Sequence, residues 1–530
     1  MMTSYTPENR PLPSHDMQVK EAQRSQNSSV DIDPEVFRGE YRELVERSPK
    51  IIESLVPDQE SKEAAINSLI VGSTTSFQQK YPVIEKYSNE DYTTMQDTAE
   101  TLISMAESMS EPERTVYLQA IEARKQEANL IVAMRDYKAA ADPIAREAAA
   151  QRFMEINITL YGEPDKTIYE SLLGEKIANI FHKKRSQSAE IIFQELRDLL
   201  PESVLDNTRI QDRFRSSTET MKWMNEVVHG LYDNMLRHVD SYVEAHKSEL
   251  QIESHDETII KIQPTHLQDI FRNILTEEFL ASSKEVEESS QTGDIQQGAQ
   301  AVTDWDNTET RSAEKDTDWK IEVTEAKSIN VDPDTRHIRI PQDREAMSVN
   351  EAKRLVVHEI GVHVLTRMTG GSTNLEPLAQ GLAGFNDTQE GLGKAMEHAL
   401  EGEYQEAGID HYITAGLAYF DNKDFKGAYD VKWRLKLLES LKPDQAPTQA
   451  QIDKAKQWAA NTTMRIYRGT DDLPLFKDLC YYNGSKEVWE YLEKICGDDL
   501  QLSLLLAGKI NTSKKHQRVI LESHSTKYKQ

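Results

Sequence analysis

Cysteine is almost absent. The 530-residue chain has two, Cys480 and Cys496, too few for a disulfide framework or a cysteine-rich zinc module. Their expected role is ordinary packing in a reducing compartment. Positive charge is also scarce: 62 lysines and arginines face 90 aspartates and glutamates, a net charge of −28. Phosphate binding needs a basic face, and an anionic membrane attracts basic segments. Neither nucleic acid nor membrane is therefore an expected partner. No window reaches the roughly 18 apolar residues of a membrane span. The opening stretch MMTSYTPENRPLPSHDMQVKEAQ has no apolar core of the kind a signal peptide carries. These absences together point to a cytoplasmic protein. No clean internal repeat is visible either.

What remains is 38% hydrophobic and 29% charged, enough at this length for two or three domains. Residues 1–30 are polar and proline-dotted and read as a disordered tail. Residues 31–150 read as a helical region. It begins with Asp33 as a cap, Pro34 in the first turn, and Val36, Tyr41, Leu44 and Val45 at roughly helical spacing. Gly162-Glu163-Pro164 breaks one helix from the next, and helices are expected to continue to about Leu280. The stretch 281–317 is polar and short of large apolar residues, and reads as a long exposed loop. Two alternating runs then flank Asp332-Pro333-Asp334, with Ile329 and Val331 before the turn and Ile338 and Ile340 after it. That pattern predicts a small antiparallel hairpin. The expected fold class is α+β, mostly helical, with this sheet just ahead of a helix that starts at Ser348. Glu351 lies three residues on and completes a capping box.

That helix contains VVHEIGVHVL, residues 356–365. Two histidines on neighbouring turns offer two metal ligands on one rigid base, and a glutamate beside the first is placed to move a proton. The zinc-peptidase pattern separates its histidines by four residues; His358 and His363 are five apart. In a regular α-helix five residues rotate by about 140° net and would point the rings apart. An inserted π-turn restores a common face, and Gly361 between the histidines eases the distortion. The bland reading is a buried helix with two satisfied core histidines. A catalytic zinc needs a third protein ligand, and Glu390, 27 residues after His363, is the candidate. It lies near the start of a predicted helix with Asn386, Asp387 and Thr388 as possible caps. Glu397 and His398 compete for the same role.

With those residues in view, HEIGVH followed by QEGL resembles the family named for its Q-E-G-L-A motif. Its bacterial members were once described as flavohaemoglobin-expression-modulating proteins. The family includes the eukaryotic microtubule-associated tyrosine carboxypeptidases, which remove the C-terminal tyrosine of tubulin. The segments LYGEP (160–164), SINVDPDTRHIRIP (328–341), LAQGLAGFNDTQEGL (378–392), MRIYRG (464–469) and FKDLCYYNG (476–484) are similar to further family elements. The likeness spans about residues 150–520. It implies a zincin-like metallopeptidase domain over 151–525, with Zn(2+) bound by His358, His363 and Glu390 and with Glu359 as general base. It implies a peptide or protein C-terminus as substrate. Gly393 departs from the pattern, standing where the family usually has alanine; glycine costs a helix about 1 kcal/mol.

A carboxypeptidase must hold a free carboxylate, which arginine forks match best. Arg465, Arg468 and Lys477 are the candidates, against a role as plain surface charge. Tyr481 either donates to a developing oxyanion or packs in a core. Two other classes stay open: a non-catalytic zinc-containing regulatory or peptide-binding protein, and a metal-free helical scaffold. The sequence carries no signal for an oligomeric state.

Overall fold

The computed structural model describes residues 33–527 apart from 49–54, 56, 73–78, 207–213, 255, 256, 280–318, 327, 333, 334 and 374. The expected N-terminal tail and the polar stretch 281–317 lie outside the described residues, as does the Pro333-Asp334 turn. The chain is mostly helical with two small sheets, in keeping with the α+β expectation. No described helix is long and apolar enough to cross a membrane.

The first helix, Pro34–Arg47, starts as its sequence predicts. Asp33 accepts a hydrogen bond from the Glu35 amide at 2.9 Å, and Pro34 fills the first position. Its buried face differs by one residue: Phe37, Tyr41, Leu44 and Val45 are inside, whereas Val36 is exposed. Phe37 and Tyr41 reach the Tyr117 ring edge-on at 4.8 and 5.2 Å, a preferred aromatic geometry. The break at Gly162 also stands, between helices Pro143–Tyr161 and Lys166–Phe181.

Helices continue to Phe279, close to the expected Leu280, but a strand pair that was not expected interrupts them. After the long helix Thr218–Ala245, strands β1 (Gln251–Ser254) and β2 (Glu257–Ile260) pair antiparallel. The hairpin around Asp332 exists as β4 (Asn330–Asp332) against β5 (His337–Pro341), with Val331 opposite Ile338. A further strand, β3 (Lys320–Thr324), pairs with β5 in parallel, so the sheet has the order β3-β5-β4 and is mixed, not antiparallel. Parallel partners are never adjacent hairpin arms, and local alternation cannot reveal them.

Among the described residues four hydrophobic cores organise the helices. One gathers the long helix Thr218–Ala245, the sheet, the histidine-bearing segment and part of the helix Cys480–Lys494. Another gathers Lys166–Phe181, Ile409–Tyr419, Phe425–Ser440 and Gln449–Tyr467, and ends in Phe476, Leu479 and Tyr482. Cys480–Lys494 therefore belongs to both, through Trp489 on one side and Tyr482 on the other. The residues singled out by sequence collect along this seam.

Candidate metal centre and substrate site

Ser348 caps the short helix Val349–Leu355, accepting from the Glu351 amide at 3.2 Å. The capping box is incomplete, because the Glu351 carboxylate turns to Arg344 at 3.3 Å. The next nine residues, Val356–Val364, form a π-helix, after which Leu365–Ser372 returns to α. At the exit the Leu365 amide bonds the carbonyl of Ile360, five residues back. The π-turn demanded by the five-residue spacing is thus present, and it runs the whole length of the motif. The two imidazoles face one another with ring centroids 4.9 Å apart, inclined at 74°.

Each ring is tied on the same side. His358 Nδ1 lies 2.5 Å from Glu397 Oε1, and His363 Nδ1 lies 3.5 Å from Gln389 Oε1. Gln389 is itself fixed, its Oε1 accepting from Thr366 Oγ1 at 2.8 Å. This is the arrangement that orients metal-binding histidines: one nitrogen is held by an acceptor so that the other is free. The free His358 Nε2 faces Glu390, whose Oε2 is 3.9 Å away. Ligand atoms of His358, Glu359 and His363 also lie within 4.8 Å of one another. Two carboxylates therefore flank the pair. Glu359 comes from the histidine segment itself, and Glu390 comes from the facing helix Phe385–Glu401. Two imidazoles and a carboxylate make a donor set that zinc accepts; the donor atoms that lie within 4.8 Å of one another are those of His358, Glu359 and His363, with Glu390 approaching from the facing helix. The residues present fit the ion.

Charge in this cluster follows burial. Burial pushes Glu359 up to about 7; His358 opposes this, and the neighbouring Glu390 and Glu397 add to it. Burial would lower His358, but the hydrogen bond it donates to Glu397 and the charges of Glu359 and Glu397 outweigh it and raise the pKa. Glu397 is pulled down to about 2: burial opposes, and His358 and Lys394 prevail. Lys394 Nζ holds both Glu397 oxygens at 2.9 and 3.0 Å.

The helix Phe385–Glu401 begins at Gly384, without a side-chain cap. Asn386, Asp387 and Thr388 are inside it rather than capping it, so Glu390 sits in the second turn. Gly391 crosses Gly484 of the helix Cys480–Lys494 in backbone contact; a Cβ at 391 would lie 2.1 Å from the Gly484 carbonyl oxygen. That crossing lays Tyr481 beside Glu390, whose charge, with burial, raises the phenol's pKa well above its usual value. Tyr481 in turn accepts from Arg465 Nη2 at 3.2 Å, and the His411 ring lies 5.8 Å from its own.

Behind Tyr481 the three cations expected to bind carboxylate are together but not equivalent. Asp478, fully buried, accepts from Arg465 Nε at 2.9 Å and from Arg468 Nη2 at 2.7 Å. Lys477 is 5% exposed, yet its side chain makes no hydrogen bond or salt bridge among the described residues. Asp478 thus pairs with two arginines while the charge of Lys477 also acts on it, so three cations face one carboxylate in a strongly acidic chain. Arg468 Nε and His411 Nδ1 are also buried without a partner among the described residues. Burial and the Arg465 charge bring His411 down to about 4, so it is neutral at pH 7.

A family model described as microtubule-associated tyrosine carboxypeptidase matches residues 259–404 and 448–524. The chain belongs to this family. No curated protein and no solved structure matches it. His358, Glu359, His363 and Glu390 fall within the first matched stretch, and Arg465, Arg468, Lys477 and Tyr481 within the second. The LYGEP segment at 160–164 and His411 fall outside both.

Within this carboxypeptidase frame, several residues take parts that their sequence positions did not announce. Glu397, a rival ligand by sequence, is bonded to His358 Nδ1 instead. His398 stacks on Trp489, with ring centroids 6.4 Å apart. Asp478, His411, Gln389 and Tyr232 were not singled out at all. Gln389 immediately precedes Glu390, the one local signal that could have drawn attention to it. Gly393 gains a meaning beyond helix cost: a Cβ there would meet the His358 ring at 2.6–2.8 Å. Both cysteines are free, Cys480 buried and Cys496 partly so.

Proposed function

We propose that this chain is a zinc-dependent carboxypeptidase that removes a C-terminal residue, tyrosine above others, from a peptide or protein. The observation that carries the reading is the paired orientation of the histidines. Glu397 and Gln389 occupy the two Nδ1 atoms, which leaves the His358 Nε2 free toward Glu390. Zinc held by His358, His363 and Glu390 would supply a Lewis acid that polarises the scissile carbonyl and makes water a better nucleophile. Glu359, whose buried carboxyl is poised near 7, takes the proton from the attacking water at its carboxylate oxygen. It then passes that proton to the departing amine nitrogen, the two-way use that a pKa near working pH favours. Tyr481 stays protonated beside Glu390. Because Arg465 donates to its oxygen, its own proton remains available to a developing negative oxygen. The three cations Arg465, Arg468 and Lys477 suit the terminal carboxylate. Lys477 is favoured as the direct contact because Asp478 already engages both arginines. Tyrosine as the preferred residue follows the family's description.

The test is one tyrosine-ended peptide in free-acid and amide forms. A charge-assisted hydrogen bond to the carboxylate contributes about 1.5–3 kcal/mol, or roughly 10- to 150-fold in kcat/KM. The free acid should be cleaved faster by that factor, Lys477→Ala should erase the difference, and Glu359→Gln should cleave neither. Equal cleavage of both forms by the wild type would reject exopeptidase action. Binding without cleavage by the wild type would favour a non-catalytic peptide-binding protein.

A further inference from the structure

The five-residue histidine step needs a π-helix, and something outside that helix must hold it. A π-turn is the rarer backbone state, flanked here by α-helix on both sides, so nothing in the neighbouring turns favours it. The long helix Thr218–Ala245 lies across the segment. Among its buried residues Val228, Tyr232, Met235, Val239 and Tyr242 recur at i, i+4 and i+7, the stripe of a helix packed on one face. Tyr232 is in the middle of that stripe and 1% exposed. Its hydroxyl donates to the Gly361 carbonyl oxygen at 2.9 Å. Its ring fills the space where a side chain at 361 would begin, since a Cβ there would lie 2.7 Å from Tyr232 Cε1. The long helix is itself fastened around this point. Asn225 Nδ2 donates to the Ala399 carbonyl at 2.6 Å, and Asp240 pairs with Lys353 at 2.7 Å.

We propose that Tyr232 is a positioning residue for the metal site, holding Gly361 and with it the π register that brings His358 and His363 to one face. The proposal rests on the metal-site reading above. Among the described residues the tyrosine has no hydrogen bond or ring contact with either histidine. It acts on the one residue between them that has no side chain, through one hydrogen bond and one ring contact. Reversion to α-helix would move the Gly361 carbonyl off the hydroxyl and swing the histidines apart, so the register and this contact stand or fall together. Gly361 accordingly serves as the seat of the Tyr232 ring, in addition to easing the distortion.

Tyr232→Phe keeps the ring and removes the hydroxyl. Three measurements on the full-length chain decide the matter: zinc affinity by competition with a chromophoric chelator, the visible spectrum of the cobalt-substituted protein, and amide hydrogen exchange of residues 356–366 in the metal-free protein. Loss of a partner that orients metal ligands typically costs 10- to 100-fold in affinity. One contact further out, the expected rise in zinc Kd is about tenfold, with a shifted cobalt spectrum and faster exchange confined to this segment. Gly361→Ala reaches the same contact from the other side and should give the same three changes. A variant with lowered thermal stability but wild-type Kd, cobalt spectrum and local exchange would reduce Tyr232 to ordinary packing and overturn the proposal. If the wild type binds no zinc, the metal reading fails. The exchange measurement still decides on Tyr232, because unchanged protection at 356–366 in Tyr232→Phe refutes its hold on the π register.

Discussion

Replacing Asp478 by asparagine should be among the costliest single changes near the substrate site. Asp478 is fully buried and, among the described residues, is the one carboxylate bonded to Arg465 and Arg468, with Lys477 adjacent. Asparagine keeps the shape and one acceptor oxygen but leaves three cations with no counter-charge. Breaking a buried ion pair from one side typically costs about 3–5 kcal/mol. The Arg465 side chain is 39% exposed, so water relieves part of the penalty, and about 3 kcal/mol is the expected loss. Burial alone would raise the Asp478 pKa, but Arg465, Arg468 and Lys477 hold it far below the ordinary carboxylate range. The sign follows from that depression. The contribution is complete above the unfolded-state value near 3.9 and fades only as pH falls through the folded-state value. The gap between wild type and Asp478→Asn should therefore be flat from pH 5 to 9. Chemical denaturation followed by near-ultraviolet circular dichroism would measure it. Arg468→Met should be milder, because Asp478 keeps Arg465. The double variant should recover part of the asparagine penalty, with a coupling of about 1–3 kcal/mol. A penalty for Asp478→Asn below about 0.5 kcal/mol, or strict additivity in the double variant, would refute the view that this carboxylate neutralises a buried cation cluster.

Other consequences are open to measurement. His358→Ala and Glu390→Ala should each abolish stoichiometric zinc by elemental analysis; full retention in both would sink the ligand assignment. Glu397→Gln should weaken zinc binding by about 10- to 100-fold without removing a ligand, as read by chelator competition. Asp387 is pushed up to about 7 by burial and by Glu487. A carboxyl with a raised folded-state pKa costs stability as pH climbs from about 4 to 7. Asp387→Asn should accordingly exceed the wild type by about 1–3 kcal/mol at pH 8, with the margin shrinking toward pH 5, in thermal scans of the metal-free protein.

The parts of the molecule that the sequence disclosed are those set by local geometry. The five-residue step from His358 to His363 requires a π-turn by arithmetic alone, and a π-helix is there. Asp33, Ser348 and Gly162 act as punctuation because caps and breaks depend on a few neighbouring residues. Hidden were the features made by distant segments meeting. The parallel pairing of β3 with β5 joins strands whose alternation alone says nothing of their neighbour. The engagement of Arg465 and Arg468 by Asp478 depends on a carboxylate whose burial no composition window reports. Val36 rather than Phe37 was expected inside for a related reason. Both fit a helical stripe to within one residue, and Tyr117, 80 positions away, decides between them.

The same distinction explains why ligands are easier to find than what holds them. A ligand must be one of a few residue types at a fixed spacing, so the proposed ligands His358 and His363 announce themselves, while Glu390 stands beside the rivals Glu397 and His398 until a family resemblance picks it out. Glu397, Gln389 and Tyr232 are held to no such pattern, because any acceptor or ring brought to the right place by a packed helix would serve. Their effects should differ in kind. Removing a ligand removes the ion, whereas removing a supporting residue loosens the geometry and lowers affinity by one or two powers of ten. Net charge obeys the same logic. A chain of −28 argues against anionic partners on average, yet Arg465, Arg468 and Lys477 around Asp478 make the spot proposed to take a carboxylate. A free C-terminus is small enough to feel that spot rather than the average, since beyond about 8–10 Å salt screens the rest of the surface. Raising the salt concentration should accordingly change the encounter rate more than the discrimination between acid and amide ends.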